Sequence, residues 1–206
     1  MRPAILLFIR PDRTTRNTKP SLRALRPSAI SLALDQRSGG PMWGQPDRTA
    51  SQFGKEADYR AALPDLEAAL AWPVAQGCPS RSIIWGSSYS AALVFLVAAR
   101  RPSAVAAVMA FSPGQYLSPS EHPGDEHSVK DAAARVRAPV FITCAQDSEE
   151  IAAARAIARA VPGSSAVQFV PKRGGVHGSS TLRRDRNPQG AEENWQAVEQ
   201  FLAGLL

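Results

Sequence analysis

The sequence predicts an α/β fold, a mostly parallel sheet with helices on both faces. Short apolar runs rich in Ile, Leu, Val and Phe recur along the chain, and stretches of helical length separate them. Gly, Pro and polar residues gather at the junctions. Strands that alternate with helices form βαβ units, and right-handed crossovers between them give a parallel sheet. With 206 residues, 44% of them hydrophobic, the chain is long enough for one sizeable core and short for two. We therefore read residues 1–206 as a single domain.

The elements follow in order. Residues 4–9 (AILLFI) read as a buried strand and 29–34 (AISLAL) as a second, ending at Asp35. Residues 35–55, rich in Gly, Pro and polar side chains, read as a loop. Leu63, Leu66, Leu70 and Val74 recur at helical spacing within 57–76. Pro64 must then sit in a first turn or start a second segment. A strand at 82–86, a helix at 89–100 and a strand at 104–111 come next. A polar loop and a helix around 129–136 lead to a strand at 139–144. Helix 149–160, strand 166–170, a Gly-rich loop at 174–180 and a helix over 191–204 complete the chain.

Composition narrows the function. The formal charge is +6, but Arg10, Arg13, Arg16, Lys19, Arg23 and Arg26, opposed only by Asp12, carry +5 of it in one segment. No aromatic residue interleaves with those cations, so there is no stacking platform for bases, and no nucleic-acid partner is expected. No apolar stretch is long enough to cross a bilayer. Ala4–Ile9 is too short for the core of a secretory signal, and no small-residue cleavage site follows it. The expected location is cytoplasmic. Cys78 and Cys144 form neither a metal cluster nor a C-x-x-C pair and read as free thiols. No metal site is expected.

In parallel sheets of this kind the chemistry sits beyond the carboxyl ends of the strands. After the strand SIIW comes Gly86-Ser87-Ser88-Tyr89-Ser90, running straight into a helix. A serine at the apex of a strand–turn–helix needs small residues two before and two after it, so that strand and helix can approach. Gly86 and Ser90 fill those places, and Ser88 alone stands at the apex. A serine hydroxyl is a poor nucleophile until a base takes its proton. The three histidines are His122, His127 and His177. His122 and His127 lie in the polar loop after strand 104–111, whereas His177 lies in GGVHGSS, between the last strand and the last helix. The base in turn needs a carboxylate to fix its tautomer. Asp147 follows the strand PVFITC by a two-residue turn and is the expected acid, although it is equally placed to cap the next helix. Glu149 and Glu150 read as acids of that helix's first turn, facing its dipole. The expected catalytic residues are thus Ser88, Asp147 and His177, each after a separate strand, in the order nucleophile, acid, base.

That order and these motifs resemble the α/β-hydrolase superfamily, specifically serine hydrolases of the dienelactone hydrolase-like kind. The matching pieces are LALDQRSGG, LPDLEAALAW, IIWGSSYSAALVFLVAAR, MAFSPGQYL, VFITCAQDS and GGVHGSSTL, which cover most of the chain after residue 30. The resemblance implies hydrolysis of a carboxylic ester or lactone through an acyl-enzyme, with no cofactor and with a small-molecule ester as partner. It also implies an oxyanion donor at Tyr89, the residue after the nucleophile, and a second at the end of the first strand, Ile9 or Arg10. Tyr116 and Leu117, beyond the end of strand 104–111, are expected to line the acyl site.

The chain departs from the family near its start. No His-Gly or His-Gln follows AILLFI; the sequence there is Arg10-Pro11-Asp12, and proline has no N–H to donate. No two strands precede Ala4, so the fold is expected to lack its first strands. Residues 10–28 form an atypical basic segment with prolines at 11 and 20 and no large apolar residue before Leu22. They are not expected to pack as the helix the fold places there. Either an exposed basic loop or a local shift of reading frame accounts for them. The alternative to a working esterase is a catalytically impaired binding protein of the same fold with a broken oxyanion site.

Overall fold

The computed structural model describes residues 3–9, 29–38, 48–54, 57–117 and 127–205. Among the described residues six strands form one sheet: β1 (Ala4–Ile9), β2 (Ile30–Asp35), β3 (Ser82–Ser87), β4 (Val105–Phe111), β5 (Val140–Thr143) and β6 (Ala166–Phe169). Their order across the sheet is β2-β1-β3-β4-β5-β6, and every neighbouring pair is parallel. The helices are α1 (Arg48–Phe53), α2 (Leu63–Ala69), α3 (Trp72–Ala75), α4 (Tyr89–Arg100), α5 (Ser128–Ala133), α6 (Ser148–Ala160) and α7 (Ala191–Ala203).

The inner strands β1, β3, β4 and β5 read as mostly apolar runs because both faces are buried, and the period of two divides their side chains between two cores. Leu6, Phe8, Ile84, Val108, Ala110, Val140 and Ile142 face one cluster, which α2, α4, α5 and α6 cover. Ile5, Leu7, Ile83, Trp85, Met109, Phe111 and Phe141 face the other, closed largely by α7. There Trp85 stacks on Phe111 with ring centroids 4.3 Å apart, and Trp195 of α7 leans on Trp85 at 6.5 Å. Helix α4 is apolar almost all round because it is buried almost all round, from Tyr89 to Ala98.

Most expected elements are present, with ends displaced by one to three residues. Three differ more. The stretch 35–55, expected as a loop, contains α1. The expected helix over 57–76 is broken into a 3-10 turn (Arg60–Ala62), α2 and α3. Pro64 and Pro73 each sit in a first turn, where the missing N–H is one that lacks a helical acceptor anyway. The Gly-rich loop carries a 3-10 turn, Gly178–Leu182. The atypical segment 10–28 lies outside the described residues, as do Arg10 and His122.

Candidate active site

Gly86 ends the straight part of β3, and the chain turns sharply at Ser88 into α4. Ser88 has φ 61° and ψ −128°, a backbone that L-residues avoid and that is retained where the surroundings over-determine it. Its N–H donates to Phe111 O at 2.9 Å, and its carbonyl accepts the Ala91 N–H at 2.8 Å. The turn depends on Gly86, because a Cβ there would stand 2.3 Å from Ser90 O and 2.7 Å from Ala91 Cα. Ser90 fills the other small position, and its hydroxyl accepts a 2.7 Å hydrogen bond from Gln36 Nε2, which ties the turn to the end of β2.

His177 arrives from the loop after β6. Its Nε2 lies 2.8 Å from Ser88 Oγ, and its Nδ1 lies 2.5 Å from Glu150 Oε1. With the Nδ1 proton given to the carboxylate, Nε2 is left to accept from the serine. Ser88 and His177 therefore come together where the sequence places them. Of the other histidines, His127 is exposed and stands at the N-cap of α5, away from this group.

The expected acid is corrected. Asp147 does not reach His177. It is exposed and caps α6, its Oδ1 accepting the N–H groups of Glu149 and Glu150 at 3.0 Å each. Glu150, one turn into the helix, turns back over the capping residue instead. Its Oε1 meets His177 and its Oε2 accepts the Ala145 N–H at 2.9 Å. Burial alone would raise this carboxyl. The bonds from His177, the influence of the Ser112 hydroxyl and the Ala145 N–H outweigh it and bring the group down to about 2. An aspartate at 147 is adjacent in sequence to the right place, but its oxygen is committed to backbone that would otherwise lack acceptors. One signal was present in the sequence: D-x-x-E is the spacing of a capping pair, in which the first acid caps and the second reaches back.

The loop before Glu150 is fastened to the loop that carries His177, which is itself braced by Asn187. Gln146 Nε2 donates to Lys172 O at 3.0 Å, and Asn187, 3% exposed, donates to Thr181 O at 2.8 Å and Gly174 O at 3.2 Å. Cys144, at the end of β5, is buried and free, as is the half-buried Cys78. Burial, with the negative Glu150 and Asp147 nearby, pushes the Cys144 thiol up to about 11, so it is not a competing nucleophile.

Tyr89 opens α4 directly after Ser88, so its N–H belongs to a helix N-terminus, where no intrahelical acceptor exists. Its ring is 1% exposed, stacks on Tyr59 at 4.2 Å, and its hydroxyl donates to Ser38 O at 3.1 Å. Ile9 closes β1 opposite Asp35, and Phe8 lies opposite Gly86 in β3. The carboxyl end of β1 thus lies beside the turn that carries Ser88. Tyr116 stands with its ring edge-on to His177, centroids 6.4 Å apart, and its hydroxyl donates to Ser112 O at 2.9 Å. Leu117 is a correction. It is 2% exposed and packs in the core, which leaves no surface to offer a substrate.

Among the described residues no group of three or more His, Cys, Asp or Glu could hold a metal ion, and no helix is long and apolar enough to cross a membrane. No protein-family model matches the chain, and no curated protein matches it in sequence. Solved structures do match. A monoacylglycerol lipase from Paleococcus ferrophilus superposes with a TM-score of 0.69 at 14% identity, over 100% of this chain and 96% of that one. An enol-lactonase from Burkholderia xenovorans gives 0.69 at 13% identity, over 98% and 92%. An E-2-(acetamidomethylene)succinate hydrolase gives 0.68 at 16%, over 98% and 92%. The parallel six-stranded sheet, its strand order and these superpositions establish that the chain has the α/β-hydrolase fold.

Proposed function

We propose that the protein is a serine hydrolase that cleaves a small carboxylic ester or lactone, with Ser88 as nucleophile, His177 as base and Glu150 as acid. The observation that carries this reading is the continuous chain of contacts from Ser88 Oγ through both ring nitrogens of His177 to Glu150 Oε1, at 2.8 and 2.5 Å.

In this reading His177 Nε2 takes the serine proton as Oγ attacks the acyl carbonyl, and ionised Glu150 stabilises the imidazolium that forms. The Tyr89 N–H supplies one donor to the tetrahedral oxyanion, and the backbone at Ile9 or Arg10 the second. The intermediate collapses as His177 returns its proton to the leaving alcohol, and water then repeats the sequence to release the acid. Kinship with the dienelactone hydrolase-like enzymes, a cytoplasmic location and the absence of a nucleic-acid partner belong to the same reading. Among the structural neighbours, the enol-lactonase fits a compact lactone-like substrate.

The competing reading, a binding protein with an impaired oxyanion site, is favoured by Pro11, which offers no N–H just after β1. Incubation of the folded chain with a fluorophosphonate, followed by peptide mapping, separates the two. Stoichiometric labelling of Ser88, absent in Ser88→Ala, is expected. A folded chain that stays unlabelled would leave the binding reading in its place.

A further inference from the structure

Two buried serines that are not nucleophiles stand at the ends of adjacent strands. Ser87 closes β3 and Ser112 follows β4; they are 2% and 1% exposed. Both hydroxyls accept from the same short piece of backbone. Ser112 Oγ takes the Gly178 N–H at 2.8 Å, and Ser87 Oγ takes the Ser179 N–H at 3.0 Å. These are the two N–H groups immediately after His177. The loop comes down so closely that a Cβ on Gly178, whose φ is +67°, would stand 2.5 Å from Ser87 Oγ.

Ser112 is itself held in an unusual conformation, with φ 54°. Its N–H donates to Thr143 O at 2.7 Å, and its carbonyl accepts from Tyr116 at 2.9 Å. Its oxygen accepts from Gly178, and its hydroxyl is among the groups that hold the Glu150 carboxyl down. Ser112 thus bears on the acid and on the base-bearing loop at once. Ser87 is the covalent neighbour of Ser88, so the loop is fastened within one residue of the nucleophile.

We propose that Ser87 and Ser112 are positioning residues that clamp the backbone after His177 and thereby aim its imidazole at Ser88. The inference rests on the serine-hydrolase reading above. If either hydroxyl is removed, a donor of the loop loses its acceptor, and the loop relaxes away from the strand ends. A small misplacement of a general base is enough to slow the reaction substantially.

The test uses the full chain with Ser87→Thr, Ser87→Val and Ser112→Gly. Thr and Val are matched in shape and differ by the hydroxyl. Gly removes the Ser112 hydroxyl while accepting its positive φ. The readouts are the rate of fluorophosphonate labelling at Ser88, kcat and KM for a short-chain aryl ester, and amide hydrogen exchange at Gly178 and Ser179. Ser87→Val and Ser112→Gly should each lower kcat by about 10- to 100-fold with KM little changed, while Ser87→Thr stays near wild type. Exchange should accelerate at Ser179 in Ser87→Val and at Gly178 in Ser112→Gly. Equal losses in Ser87→Thr and Ser87→Val would overturn the clamp, and that matched pair decides the matter even if Ser112→Gly fails to fold. A wild-type chain that is neither labelled nor active fails the hydrolase reading, and the clamp falls with it. A labelled wild type whose variants label equally fast overturns the clamp alone.

Discussion

Glu150 Oε1 lies 2.5 Å from His177 Nδ1, while the second oxygen of the same carboxylate holds the Ala145 N–H at 2.9 Å. One side chain thus joins His177 to the end of β5, from which its own loop leaves. The carboxylate is oriented by backbone, and it orients the imidazole in turn.

Glu150→Gln should therefore lower kcat by about three to four powers of ten, the loss seen when the acid of a triad becomes an amide and the wrong tautomer is favoured. Asp147→Asn should leave the rate within a few-fold of wild type, because asparagine caps a helix as well as aspartate. Asp147→Ala should instead destabilise the fold by about 1 kcal/mol. Steady-state kinetics with urea unfolding of the three variants checks both halves. A large kinetic loss in Asp147→Asn with Glu150→Gln active would return the acid role to Asp147.

The depressed carboxyl also makes a stability prediction. Glu150 sits at about 2 in the folded chain, against 4.5 for the free side chain. A lowered carboxyl stabilises the fold fully above the unfolded value and loses that contribution as pH falls toward the folded one. The stability advantage of wild type over Glu150→Gln should thus be constant above about pH 5 and shrink progressively between roughly pH 4.5 and 2. Urea titrations across that range measure it. An advantage that does not shrink on acidification would contradict an ionised Glu150 held by these hydrogen bonds.

Gly86→Ala should be severely destabilising. Its Cβ would be driven to 2.3 Å from Ser90 O and 2.6 Å from Ser90 C, backbone atoms that cannot swing aside. Overpacking of this kind costs about 1–3 kcal/mol or more and here also displaces Ser88. Gly77 is the control. It has φ +71° and nothing within 4 Å of an added Cβ, so Gly77→Ala should carry only the backbone strain of about 1 kcal/mol. Thermal unfolding of the pair checks the difference.

Tyr116 stands edge-on to His177 at 6.4 Å, and under the proposed function it meets the substrate there. Tyr116→Ala should raise KM for short acyl esters several-fold more than Leu117→Ala does. Leu117→Ala should act on stability, by about 2–5 kcal/mol, because that side chain is in the core. Short-chain esters should also be turned over faster than long-chain ones. Kinetics over a series of acyl lengths tests both expectations.

The fold was legible because both faces of the sheet are buried. Runs such as AILLFI and SIIW and the all-apolar YSAALVFLVAA announce strands and a helix sealed on every side. The Gly86-x-Ser88-x-Ser90 turn was legible because steric demands there are local, spanning five residues. The position of His177 followed from order along the chain. The acid was not legible. Asp147 and Glu150 lie three residues apart on one helical turn, and from sequence the place just after the strand favours Asp147, with Glu150 read as an acid facing the helix dipole. What separates them is the N-terminus of α6, whose unpaired N–H groups claim Asp147 and leave Glu150 to turn back between Ala145 and His177. Leu117 was misread for a similar reason, since an apolar residue beyond a strand end serves a substrate or a core equally well until packing decides. The second roles of Ser87 and Ser112 were likewise out of reach. A hydroxyl that accepts from backbone 66 or 92 residues away leaves no local pattern, and only the closing of the loop onto the strand ends brings donor and acceptor together.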